Sequence, residues 1–121
     1  MTRLPLVLAA LYGAAGVALM AAGSHSAGGA FAATAGQMLL FHATAVIAAA
    51  LARQAGLIAP GLGRVAIIVL LAGVAIFAAD LALRGFGYAR LFPMAAPTGG
   101  SLTILGWLLL AAAAATRSGQ E

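Results

Sequence analysis

The sequence has no cysteine and no lysine, only two carboxylates and a single tryptophan. Without cysteine there is no disulfide, no thiolate metal site and no redox switch. Charged residues make up 7% of the 121 positions, against roughly a quarter in soluble domains. The outside of a water-soluble fold could not be covered with solvated groups from so small a supply. What is present instead is hydrocarbon, at 64% apolar residues and a mean hydropathy of +1.13. The lipid bilayer is the solvent this composition matches.

A net charge of +4 and a pI near 11.3 would point to nucleic acid in a polar protein. Here the basic residues are all arginines, Arg3, Arg53, Arg64, Arg84, Arg90 and Arg117, each at or just outside the edge of an apolar run. That placement belongs to topology anchors, so no nucleic-acid partner is expected and membrane lipid is.

Four apolar runs follow one another. Leu4 to Gly23 is long enough, at about 1.5 Å per residue, to cross a hydrocarbon core of roughly 30 Å. Pro5 falls in its first turn, where a missing N–H costs no helical bond, and Gly23-Ser24 closes it. Arg3, the apolar stretch and Met20 to Ser24 also fit a secretory signal cleaved near Ala27. The run exceeds a usual signal core, however, and is read as a first membrane helix. Phe31 to Ala52 contains Thr34, Gln37, His42 and Thr44 and ends at Arg53. Val65 to Leu83 is broken only by Asp80 and stops at Arg84-Gly85. The last run, Ser101 to Thr116, is short and borrows residues from the preceding loop, and the tail from Arg117 to Glu121 is expected to fray. The predicted fold class is all-α, an integral membrane four-helix bundle, one domain over 1–121 with spans at about 4–23, 31–52, 65–83 and 97–116. An even number of spans leaves both termini on one side. Arg3, Arg53, Arg64 and Arg117 lie there against Arg84 and Arg90 opposite, which places both termini in the cytoplasm.

Helices in lipid associate by close backbone approach and a few hydrogen bonds, so small residues should mark their seams. Four-residue steps of that kind are Ala9 to Gly13, Ala14 to Ala18 to Ala22, Ala32 to Gly36, Ala45 to Ala49 and Ala75 to Ala79.

The intramembrane polar residues are where chemistry would reside, because each costs insertion energy and needs a partner. His42, near the middle of the second run, shares a face with Ala35, Met38, Ala45 and Ala49 and is expected to point inward as a neutral imidazole hydrogen-bonded across helices. A ligand or proton-relay role is the alternative. Asp80 and Arg84 stand four apart near a helix C-terminus and are expected to pair. His25 and Gln37 lie toward the same side, so His25, Gln37, Asp80 and Arg84 are candidates for one polar cluster closing that end, with His42 deeper.

This inventory excludes several functions. A bis-histidine haem needs two ligands at one depth, whereas His25 lies in a link and His42 at mid-span. A zinc or copper site needs three or four ligands from a chain offering His25, His42 and Asp80 at most. Ser24 and Ser26 beside His25 read more simply as a turn than as a nucleophile with its base. No cofactor, no metal and no enzymatic activity are expected.

Gly23-Ser24-His25, the stretch Gln37 to Ala43, Phe92-Pro93, Pro97-Thr98-Gly99-Gly100 and Gly106-Trp107 together resemble the YgdD-type DUF family of small inner-membrane proteins. The resemblance implies a four-helix protein of the bacterial inner membrane whose biochemical role is not established. Asp80 departs from the family's pattern, where small or serine residues are usual, so no family-wide role falls on it.

Pro97, Thr98, Gly99 and Gly100 are expected to form a sharp turn or a very close contact, with His25 or Gln37 covering its backbone. Tyr88, Arg90 and Phe92 are then expected at the interface, and Trp107 as a lipid-facing or packing residue. The reading that follows is a non-catalytic accessory or scaffolding subunit of a larger membrane complex, with other membrane-protein subunits as partners. The alternative is a small-solute, proton or lipid transporter working through His25, Gln37, His42 and Asp80.

Overall fold

A computed structural model describes residues 3–117; the end of the expected frayed tail lies outside them. Four helices follow in order, α1 Arg3–Gly23, α2 Gly29–Gln54, α3 Pro60–Gly85 and α4 Ala95–Ala115, with no strand among the described residues. All four are long and apolar enough to cross a membrane. α1 lies on α2, α2 on α3 and α3 on α4, so α2 and α3 form the middle of the bundle.

The faces that turn inward are distinguished by size more than by hydrophobicity, because the outward faces are just as apolar. α2 buries Ala32, Ala35, Gly36, Leu39, His42, Ala43, Val46, Ala49 and Ala50 at helical spacing, and α4 buries Ala95, Ala96, Gly99, Thr103, Gly106 and Ala113. Backbones meet where glycines stand opposite one another. A Cβ on Gly36 would lie 2.6 Å from the Gly16 carbonyl oxygen, and one on Gly99 would lie 2.5 Å from the Phe77 nitrogen. Larger side chains fill two layers. One holds Ala9, Val46, Ile67 and Leu70, and the other Leu39, Val74, Ala78 and Leu81.

The expected seams hold only in part. Ala32 and Gly36 are buried, as are Ala9 and Ala49, but Ala14, Ala18, Ala75 and Ala79 are exposed on the outside of the bundle. Residue size cannot tell one face of a uniformly apolar helix from another; the position of the neighbouring helices can.

Helix ends follow local chemistry. α2 and α3 each finish in a Schellman turn with a left-handed glycine, Gly56 (φ 78°) and Gly87 (φ 87°). In these turns the Leu57 N–H donates to the Ala52 carbonyl and the Tyr88 N–H to the Leu83 carbonyl, at 2.9 and 2.8 Å. Pro60 opens α3, five residues earlier than expected from the apolar run, because a helix's first turn needs no donor there. The membrane hydroxyls of Thr34, Thr44 and Thr103 donate back to carbonyls three or four residues earlier.

The sharp turn expected at Pro97 to Gly100 is not there. Those four residues are helical, in the first two turns of α4, where Pro97 interrupts no intrahelical bond. The chain reverses instead at Met94, which takes a left-handed conformation (φ 66°) at a cost of roughly 1–2 kcal/mol. Gly99 serves close approach to α3, and neither His25 nor Gln37 covers this segment.

Candidate functional site

Two polar centres lie within the bundle at different depths. The deeper one is built on His42, which falls between Leu39 and Val46 of α2 and is 5% exposed. Its Nδ1 lies 2.7 Å from the carbonyl oxygen of Met38, one turn back. Its Nε2 lies 3.0 Å from the indole nitrogen of Trp107 on α4, and the two rings meet edge to face at 5.7 Å. An indole N–H can only donate, so Nε2 is the acceptor, and Nδ1 must carry the hydrogen that goes to Met38. The geometry thereby selects one neutral tautomer with both nitrogens committed. Helical registry explains the first bond, since Met38 is four residues before His42. The second joins α2 and α4, which are not successive partners in the packing order; an open groove of about 300 Å³ lies between them, with Ala45, Ala48 and Ala52 on one wall and Leu110 and Ala114 on the other. A ring as large as Trp107, which also lines that groove, is needed to bridge it.

The second centre lies at the far end of α3. Asp80 is fully buried, and its Oδ1 accepts a hydrogen bond from the Leu91 N–H at 2.9 Å. Its Oδ2 lies 3.1 Å from Nη2 of Arg84, the only ion pair among the described residues. The Arg84 guanidinium stands 4.8 Å above the Phe31 ring in the first turn of α2, a cation–π contact. One carboxylate therefore fastens the α3–α4 loop, while its cation rests on a neighbouring helix.

The anticipated convergence of His25, Gln37, Asp80 and Arg84 is corrected by this geometry: only Asp80 and Arg84 meet. His42, expected deeper and hydrogen-bonded across helices, makes that bond with Trp107. His25 lies exposed in the link, and Gln37 lies exposed on the outer face of α2, with no side-chain hydrogen bond to another described residue. With His42 turned inward, Gln37, five residues earlier on α2, is carried about 140° around the helix to the outer face.

Trp107, expected as a lipid-facing or packing ring, is 45% exposed and in addition donates to His42. A lone indole donor and a lone mid-span imidazole acceptor in one membrane domain were the available signal for their pairing. Tyr12, which donates its hydroxyl hydrogen to the Leu71 carbonyl and so ties α1 to α3, was likewise not singled out.

A family described as "Protein of unknown function (DUF423)" matches residues 12–100. The chain belongs to this family. The DUF423 match agrees with the resemblance to a DUF family of small proteins, and it includes Tyr12, Gly36, His42 and Asp80. Trp107, the partner of His42, lies beyond the matched stretch. No curated protein and no solved structure matches the chain.

Proposed function

We propose that this DUF423 chain is a non-catalytic accessory or scaffolding subunit, placed beside a larger assembly in the bacterial inner membrane with both termini in the cytoplasm. The observation that supports this reading is the outward direction of its small-residue stripes. Ala14 and Ala18 of α1 and Ala75 and Ala79 of α3 are exposed. Lipid tails gain nothing from so smooth a face, whereas a second helix can bring its backbone close against it. α1, with only Ala9 and Gly16 buried, has most of its surface available to a neighbour. The polar groups serve this role as internal ties, because the His42–Trp107 and Asp80–Arg84 pairs hold helices and a loop in place.

The transport reading needs His25, Gln37, His42 and Asp80 along one path, and their separation gives it no support. Extraction in native lipid followed by identification of co-purifying chains tests the proposal. A discrete membrane partner is expected with the unaltered protein, reduced severalfold by Ala18→Leu or Ala75→Leu with the bundle still folded. A monodisperse monomer, or solute flux in proteoliposomes that disappears on substitution of His42, would overturn it.

A further inference from the structure

A cavity of about 150 Å³ opens at the end of the bundle where α1 begins, between the first turn of α1, the last turn of α2 and the start of α3. Its walls are apolar, with Leu4, Pro5, Ile67 and Ile68 among them, and its polar lining is Arg53 and Arg64. Arg53 is held in place before any ligand arrives. Its Nε donates to the Pro60 carbonyl at 2.7 Å, and its stem lies near Gly63, while its terminal nitrogens make no hydrogen bond with the described residues.

Among the described residues, the charged side chains at this end are all arginines. The only carboxylate among the described residues, Asp80, is paired with Arg84 at the opposite end. The first turn of α3 carries neither an acid nor a side-chain cap, so its dipole adds positive potential, set against the negative C-terminal end of α2, and the two guanidiniums carry the full charges. Two guanidiniums suit a phosphodiester, because each can present paired N–H donors to its oxygens. Leu4 and Ile68 continue from the cavity onto the exposed outer surface, at 65% and 56% exposure, where an acyl chain would lie.

We propose that this cavity binds an anionic phospholipid, its phosphate between Arg53 and Arg64 and one acyl chain along Leu4 and Ile68. A zwitterionic lipid fits less well, since none of the described residues at this cavity offers a carboxylate to its ammonium group. The lipid is a structural ligand that bridges the ends of α1, α2 and α3.

Native mass spectrometry of the full chain, loaded with phosphatidylglycerol or phosphatidylcholine of matched acyl chains, tests this. Phosphatidylglycerol is expected to be retained in preference. Arg53→Gln and Arg64→Gln should each lower its retention about fivefold, the effect of one interfacial arginine on an anionic lipid. Arg90→Gln, at the opposite end, should leave it unchanged. Arg64 is exposed and makes no side-chain hydrogen bond with the described residues, so its substitution reads binding even if loss of Arg53 disturbs folding. Equal retention of the two lipids, or undiminished phosphatidylglycerol on Arg64→Gln, overturns the proposal. So does displacement of the lipid by millimolar inorganic phosphate, which would assign the site to a free anion.

Discussion

His42 shows how a residue acquires its role from a partner sixty-five positions away. Its local sequence already supplies one bond, from Nδ1 to the Met38 carbonyl, and any helical histidine can make such a contact. The bond from Trp107 turns a polar side chain in hydrocarbon into a link between two helices. Replacing Trp107 by Phe keeps most of the ring volume but leaves Nε2 without a donor. The expected loss of stability is about 0.6–2 kcal/mol, measured by reversible unfolding in mixed micelles. The double variant His42→Phe with Trp107→Phe should cost less than the sum of the single changes, because the second substitution removes no bond that the first has left. Strict additivity would show that the pair contributes no coupling. A mid-span histidine in need of a partner was legible in the sequence. Its partner was not, since Trp107 is equally suited to an interfacial or lipid-facing position until the rotation of α4 is known.

At the level of helices, the seams are made by glycine pairs at crossing points. Gly36 and Gly13 provide the contrast. A methyl group on Gly36 meets backbone, the Gly16 carbonyl at 2.6 Å and the Met20 nitrogen at 3.0 Å, which cannot yield without moving α1. A methyl group on Gly13 meets only the Ala43 Cβ at an ordinary 3.8 Å. Gly36→Ala is therefore expected to destabilise the bundle by about 1–3 kcal/mol, and Gly13→Ala to be neutral or to stabilise by up to about 1 kcal/mol through helix propensity. Unfolding of the two variants under the same conditions checks the difference, and equal effects would remove the crossing at Gly16 and Gly36 as the seam. Sequence spacing identified Ala32 to Gly36 as a seam but gave equal weight to Ala14 to Ala18 and Ala75 to Ala79. A chain in lipid has no polar outer face against which an inner face can be recognised. At Pro97 to Gly100 the close contact expected of the glycines is made by Gly99, while the turn is absent for a related reason. Proline and glycine read as a turn in isolation, yet proline is tolerated at a helix start and glycine is favoured where two helices touch.

For the whole molecule, the arginines and the ends of the helices set the expected placement in the membrane. Arg53 and Arg117 are fastened near the α2–α3 loop, Arg53 to the Pro60 carbonyl and Arg117 to the Gly56 carbonyl. The Ala59 N–H donates to the Ala113 carbonyl at the end of α4. This terminus-proximal end is thus the more cationic, and its loop is tied to both neighbouring helices. With the proposed orientation, a fluorescent reporter that folds only in the cytoplasm should be bright when fused after Glu121, and a phosphatase active only outside should be silent there. Exchanging Arg53 and Arg64 for Gln removes the excess of arginine on that side and should produce a mixed population. A bright phosphatase fusion on the unaltered chain would reverse the placement.

Length and composition were sufficient to establish that this is a four-helix chain made for lipid, because the energy of moving side chains out of water accumulates residue by residue and needs no knowledge of neighbours. The pairing of Asp80 with Arg84, one helical turn apart, was also legible. Which alanines face inward, which ring meets His42 and why His25 and Gln37 stay apart from Asp80 were instead settled by the folded bundle. Those outcomes depend on the rotation and separation of helices, and they arise from contacts between residues far apart in the chain.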